Sequence, residues 1–213
     1  LRNTLKIYSG SQMVSNFRPT AAACIYHHFD CKGKTVWDMS CGYGGRLLGA
    51  EVVGVGKYIG TEPCDLTYKG LQEMSDELVT IPIEIHKCGS EEYIPKADSL
   101  DFCFTSPPYF STEEYNKNGK YQEDQSWFKY KNYSGWANDF FLPVAKNTFD
   151  SLSDKGHMLV NIMDPKVKNI RYRSCDELVD SLKDYFTGQI GMRISRRPKS
   201  NKLFKDEQEK KQF

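Results

Sequence analysis

Short apolar runs alternate with amphipathic stretches along this chain. The runs TVWDM (35–39), YIGTE (58–62), IPIEIHKC (81–88), LDFCFTS (100–106), HMLVNIMD (157–164) and GQIGMRIS (188–195) are brief and rich in β-branched and aromatic residues, which predicts strands. Helical spacing fills the intervals from Thr20 to Phe29, Gly45 to about Val52, Asp65 to Leu78, Trp136 to Leu152 and Cys175 to Phe186. Ser174 stands where it would cap the last helix, with Glu177 three residues on completing a capping box. Strands that alternate with helices predict an α/β fold: a Rossmann-like, doubly wound, mainly parallel sheet flanked by helices. The segment 111–133 is polar, aromatic-rich and without period, so it reads as a long loop, and such loops in compact domains are functional or mobile.

Composition narrows the picture. A chain of 213 residues, 39% hydrophobic and 27% charged, suits one soluble domain with a sizeable core. Residues 16–195 read as that core, 111–133 as a candidate substrate loop and 198–213 as a loose charged tail. The net charge of +1 excludes a globally basic nucleic-acid binder. Cations nevertheless cluster at Lys166, Lys168, Arg171 and Arg173, and again from Arg193 to Lys205, flanking one helix as an edge that could face phosphates or simply water. Seven scattered cysteines form no CxxC pair, and His27-His28, His86 and His157 have no ligand spacing, so no metal is expected. No run approaches a membrane span and no signal sequence opens the chain, which begins at Leu1 rather than Met. Reduced thiols in a cytoplasmic protein are the expectation.

The first predicted strand runs into Asp38-Met39-Ser40-Cys41-Gly42-Tyr43-Gly44-Gly45. Glycines let a backbone turn tightly and approach a ligand, with the next helix starting at that spot. Alone the pattern also fits an ordinary strand-to-helix turn. Its context adds Glu62 at the end of the second strand, 24 residues past Asp38, where an acid can accept hydrogen bonds from both hydroxyls of a ribose. A dinucleotide or S-adenosylmethionine would fit. Asp38 favours the second, because a carboxylate before the glycines repels a pyrophosphate yet can hold an ammonium through water or backbone.

After the fourth strand stands Thr105-Ser106-Pro107-Pro108-Tyr109-Phe110. Proline has no N–H to give a ladder and fixes φ, so the strand stops and a stiff turn presents Ser106 and Tyr109. The bland alternative is a rigid turn and nothing more.

Together DMSCGYGG, GTEP and TSPPYF, in that order and spacing, resemble the amino-methyltransferases of DNA, and NFRPTAAACIYHHF (16–29) resembles the segment that precedes the glycine turn in that family. The resemblance covers about Asn16 to Ile194. It implies S-adenosylmethionine as cofactor, held by Phe17, Pro19, Thr20, Asp38, Ser40, Gly42, Gly44, Gly45, Glu62, Pro63 and, past the third strand, Ser90 or Glu91. It implies Ser106, Pro107, Pro108 and Tyr109 as the catalytic turn and DNA as the partner, with a flipped or single-stranded base. The serine form of the turn is similar to enzymes acting on cytosine N4, the aspartate form to those acting on adenine N6. The chain departs from the family in having no room for a separate target-recognition region. Recognition then falls to 111–133, with Tyr115, Tyr121, Trp127, Phe128, Tyr130 and Tyr133, and to the two basic clusters, unless the chain is a shortened one. An RNA base, a protein glutamine amide, a non-catalytic module on the same fold and a nicotinamide oxidoreductase stay as alternatives. The last would need GxGxxG where this chain has GYGGRL.

Overall fold

The computed structural model describes residues 16–115 and 117–191. Five strands form one sheet: β1 (Thr35–Asp38), β2 (Lys57–Thr61), β3 (Ile83–His86), β4 (Leu100–Thr105) and β5 (Leu152–Val160), in the order β3-β2-β1-β4-β5 with every neighbouring pair parallel. Helix α1 (Pro19–His28) precedes β1, α2 (Gly45–Val53) joins β1 to β2, and α3 (Asp65–Leu78) joins β2 to β3. The long connection after β4 holds the single turn α4 (Ser126–Lys129). It then enters α5, built of Tyr133–Gly135, a π-helical Trp136–Phe141 and Leu142–Asp150. A small antiparallel hairpin follows, β6 (Lys166–Val167) with β7 (Ile170–Arg171), then α6 (Ser174–Ser181). The doubly wound α/β sheet expected from the sequence is the one that forms.

Period-two alternation sorts the core to the two faces of the sheet. Val36, Tyr58, Phe102 and Phe104 pack with Tyr26 of α1 and Leu47 and Ala50 of α2. Trp37, Ile59 and Cys103 pack the other way with Trp136, Phe141 and Val144 of α5. Each large buried side chain contributes roughly 1.5–3 kcal/mol. Trp37 also donates its indole N–H to Thr148 Oγ1 at 3.0 Å, tying β1 to α5. The chain winds outward through β1, β2 and β3, then returns to β4 beside β1. At that reversal the crevice outside the carboxyl ends of the strands opens, where ligands of such sheets bind.

Several boundaries differ from the sequence reading. The final turn of α5 stops at Asp150 rather than Leu152, because the Ser151 carbonyl takes the Leu100 N–H at 3.1 Å and draws the chain into the sheet. β5 therefore starts at Leu152, and 161–164 lie beyond it. The capping box does not form. The Ser174 hydroxyl donates to the Met163 carbonyl, Glu177 accepts from the Tyr133 hydroxyl, and the Cys175 N–H is capped by Asp164 Oδ1 at 3.0 Å. Helix α6 ends at Ser181, with a separate 3-10 turn at Lys183–Tyr185. Residues 188–191 have no regular structure, and the remainder of that expected strand, the second basic cluster and the tail lie outside the described residues. Among the described residues no helix is long and apolar enough to cross a membrane, and no group of three His, Cys, Asp or Glu could hold a metal ion.

Candidate functional site

The turn after β1 is shaped by its glycines. Gly44 sits at φ +76°, a conformation glycine takes without steric cost, and a Cβ on Gly45 would lie 2.0 Å from the Phe17 carbonyl oxygen. The close approach brings Phe17 and the start of α1 against the turn. Beneath it Asp38 is fully buried. Its carboxylate accepts Arg46 Nε at 2.7 Å, Arg46 Nη2 at 3.1 Å, the Tyr58 hydroxyl at 2.6 Å, the Thr105 hydroxyl at 3.1 Å and the Ser40 N–H at 3.1 Å. Every lone pair is spent inward. Asp38 is therefore not on the cavity wall, and any hold it has on an ammonium is indirect, as expected from the sequence; Arg46 is the member of the pair that lines the cavity.

Glu62 follows β2 with its carboxylate accepting the backbone N–H groups of Cys64, at 2.9 Å, and Gly42. Burial outweighs these donors and pushes its pKa up to about 7. The N–H of Cys64, two residues on, thus helps orient this acid. Past β3, Ser90 is buried and its hydroxyl has no hydrogen-bond partner among the described residues. An orphaned buried hydroxyl carries an uncompensated desolvation cost until a ligand supplies a partner.

Opposite stands the proline turn. Ser106 Oγ and Tyr109 Oη lie 2.8 Å apart, and Asn161, just past β5, donates Nδ2–H to both at 3.1 Å. The Tyr109 hydroxyl donates to the Asn161 carbonyl at 3.1 Å. With the Tyr109 proton on that carbonyl, the arrangement that satisfies every contact of the trio sends the Ser106 proton to Tyr109. Ser106 Oγ, already accepting from Asn161, keeps one free lone pair. The trio is an acceptor set for an N–H. Burial raises the Tyr109 pKa, which keeps the phenol neutral.

Both turns line one cavity of about 470 Å³, together with Phe17, Ser40, Gly42, Glu62, Pro63, Ser90, Glu91 and Ser106 to Tyr109. Of the residues named from the sequence, Pro19, Thr20, Asp38, Gly44 and Gly45 are not on its wall. Pro19 opens α1, Thr20 is exposed, and the other three shape the turn from behind. The stretches 111–115 and 117–130 bring Glu113, Tyr115 and Asp124 to the cavity. They are pinned by Trp127 Nε1–H on the Tyr115 carbonyl at 2.8 Å and by Lys129 Nζ on Glu91 and Glu92 at 3.1 Å each. Of the aromatics named from the sequence, Tyr115 faces the cavity, while Tyr130 and Tyr133 pack on the apolar cluster under α5. Phe140, on the π-helical turn, also lines the wall. Arg46, Glu113, Asn161 and Phe140 were not named from the sequence. The only signals were a cation eight residues after Asp38 and a polar interruption in HMLVNIMD.

No family model matches the chain, and no curated protein does. Solved structures do. A SAM-dependent O-methyltransferase from Thermotoga maritima aligns at 15% identity over 85% of this chain and 54% of its own, with a TM-score of 0.51. The (4+2)-cyclase SpnF aligns at 9% identity over 78% of this chain and 56% of its own, also at 0.51. The chain spans about half the length of these structures. The likeness establishes the fold, that of class I methyltransferases. The cyclase demonstrates that the fold alone does not determine the reaction.

Proposed function

We propose that this chain is an S-adenosylmethionine-dependent methyltransferase acting on the exocyclic amino group of a DNA base, cytosine N4 in preference to adenine N6. One observation carries the reading: the glycine turn after β1 and the Ser-Pro-Pro-Tyr turn after β4 open onto a single cavity of about 470 Å³, within the range of clefts that enclose ligands of this size, roughly 300–1,000 Å³.

The residues present fit the cofactor. Glu62 is a buried acceptor held in place by two N–H groups, suited to ribose hydroxyls. Ser90 offers an unpartnered hydroxyl to the edge of a purine, with Glu91 beside it. Phe17, Ser40, Gly42 and Pro63 complete the wall, and Asp38 acts through Arg46. When bound, S-adenosylmethionine supplies a methyl group on an electron-poor sulfur.

The chain's own atoms prepare the acceptor. The lone pair of an exocyclic amine is delocalised into the ring, which makes it a poor nucleophile. Ser106 Oγ, through its free lone pair, and the Pro107 carbonyl accept the amine N–H groups and draw the nitrogen toward a tetrahedral shape. Pro108 stiffens the turn, and the Tyr109 ring stacks on the base, worth roughly 1–3 kcal/mol. Because a paired amine is inaccessible, the base is flipped out or single-stranded.

Incubation with tritium-labelled methyl donor and DNA, digestion to nucleosides and chromatography test this. Label in N4-methyldeoxycytidine is expected. Label in N6-methyldeoxyadenosine would move the target base, label only in RNA would move the substrate, and label in no nucleoside would overturn the reading.

A further inference from the structure

The hairpin after β5 carries charge that the described part of the fold does not neutralise. Lys166 and Arg171 are register partners across it, as are Val167 and Ile170. Partners in an antiparallel pair share a face with Cβ atoms about 5 Å apart, and like charges set directly opposite destabilise the pair. Val167, one residue on and so on the other face, packs against the apolar cluster under α5, which leaves Lys166 and Arg171 side by side on the outer face. Lys168 occupies the first position of the two-residue turn at φ 48°, with Asn169 at 67°. Such turns favour Asn, Asp or Gly, so lysine there is a costly choice. All three cations are exposed, and among the described residues none lies within ion-pair distance of a carboxylate; the nearest cation in sequence, Arg173, is paired with Asp176.

The hairpin is also fixed to the candidate site. It begins five residues after Asn161, whose side chain touches Ser106 and Tyr109. At no more than about 3.6 Å per residue, the Cα of Lys166 lies within about 18 Å of that of Asn161. Tyr172 closes the ribbon by donating its N–H to the Pro165 carbonyl at 3.0 Å. Its ring stacks on Tyr133 at 4.1 Å and meets Phe110 edge-on at 5.9 Å, and Phe110 directly follows Tyr109. The cationic face therefore holds a set distance from the turn that presents Ser106.

We propose that Lys166, Lys168 and Arg171 grip the sugar–phosphate backbone of the polynucleotide whose base enters the cavity, an inference that rests on the nucleobase reading above. A DNA strand carries a phosphate about every 3.4 Å along the helix axis, so several phosphates flanking the target nucleotide fall within the hairpin's reach. An anion between Lys166 and Arg171 turns their mutual repulsion into shared attraction. Contacts of this kind set register and orientation and carry no base preference.

Fluorescence anisotropy with a 20-nucleotide single-stranded DNA and an RNA of the same sequence, over a series of salt concentrations, tests the proposal. The full chain is compared with a triple variant, Lys166→Ala, Lys168→Ala and Arg171→Ala, and with Lys155→Ala, an exposed lysine near the opposite end of β5. The triple variant is expected to bind at least about tenfold more weakly at 0.1 M salt and to flatten the log–log salt slope by about 2, near 0.7 per lost phosphate contact. Its S-adenosylmethionine affinity should stay at the full chain's value. Lys155→Ala should match the unsubstituted chain. Lys168→Gly relieves the left-handed turn position, so it should not unfold the chain, and is expected to weaken binding about two- to fivefold, as loss of one contact would. Full-chain affinity and slope in the triple variant would overturn the proposal, as would a full chain that binds neither polynucleotide and takes an acidic peptide instead. The anisotropy needs no cofactor. A chain that binds no S-adenosylmethionine but loses polynucleotide affinity with the hairpin would refute the cofactor reading alone.

Discussion

Arg46 grips Asp38 at two points, Nε to Oδ2 at 2.7 Å and Nη2 to Oδ1 at 3.1 Å, with both side chains out of solvent. The pair lies under the glycine turn, and the same carboxylate takes the hydroxyls of Tyr58 from β2 and Thr105 from β4. Three adjacent strands are thus joined at one buried anion directly behind the cavity. Breaking such a pair from one side leaves a buried charge without a counterion, which costs about 3–5 kcal/mol, whereas replacing both partners with apolar groups of similar volume is often tolerated. Asp38→Asn is therefore expected to lower stability by about that amount in urea unfolding, and Asp38→Leu combined with Arg46→Met to lose less than Asp38→Leu alone, which also strands the Arg46 charge.

Glu62 gives the site a pH dependence of definite sign. Burial raises its pKa from the ordinary 4.5 to about 7. Between those values the folded chain keeps a proton that the unfolded chain has released. Its contribution to stability is therefore intact below about pH 4.5 and is lost as pH climbs through 7, on the order of 3 kcal/mol in all at 1.36 kcal/mol per unit. Glu62→Gln cannot ionise, so its urea midpoint should fall less with rising pH across this window than that of the unsubstituted chain and exceed it at pH 8.

Ligand affinity should move the opposite way. Ribose hydroxyls donate to a carboxylate, so S-adenosylmethionine should bind more tightly as pH rises to 7 and level off above it. Binding near pH 6.5 should release a proton, visible as a buffer-dependent heat in titration calorimetry. At pH 8 Glu62→Gln should bind about 10- to 100-fold more weakly, the worth of hydrogen bonds to a charged acceptor. Equal affinity in the two proteins would remove Glu62 from the cofactor site.

Gly45 and Gly70 make a matched pair of opposite sign. A Cβ on Gly45 would press within 2.0 Å of the Phe17 carbonyl, while one on Gly70, exposed in the middle of α3, meets nothing within 4 Å. Alanine in a helix interior is worth about 0.5–1 kcal/mol over glycine, so Gly70→Ala should raise the unfolding midpoint. Gly45→Ala should instead lose about 1–3 kcal/mol through overpacking and, by displacing Phe17, weaken S-adenosylmethionine binding.

What could be read in advance from the sequence was what residue type imposes on the backbone. Gly44 at positive φ and the prolines that end β4 are constraints written into single positions, and period-two and helical spacing sorted the core onto both faces of the sheet. What could not be read was where polar side chains find their partners. Asp38 reads as a ligand acid until Arg46, Tyr58 and Thr105 are seen to close on it from 8, 20 and 67 residues away. The capping box at Ser174 obeys local rules, yet the cap comes from Asp164, eleven residues before the N–H it serves. In 111–133 the aromatics were legible, but only tertiary packing decided that Tyr115 turns to the cavity while Tyr133 stacks on Tyr172.

The trio of Ser106, Tyr109 and Asn161 separates orientation from stacking. Tyr109→Phe keeps the ring but removes the acceptor of the Ser106 proton, which frees that proton to turn into the cavity as a donor facing an amine. The turnover number should fall about 10- to 100-fold, the cost of one or two oriented hydrogen bonds, with little change in KM for the polynucleotide. Tyr109→Ala loses the stacking face as well, roughly 1–3 kcal/mol, and KM should rise too. Asn161→Ala acts at a distance: Asn161 positions the two hydroxyls, so turnover should fall while the dissociation constant for S-adenosylmethionine holds. Steady-state kinetics paired with calorimetry resolve all three. If the three variants lose cofactor affinity in step with turnover, Ser106 and Tyr109 belong to the cofactor wall, and the amine has no acceptor set.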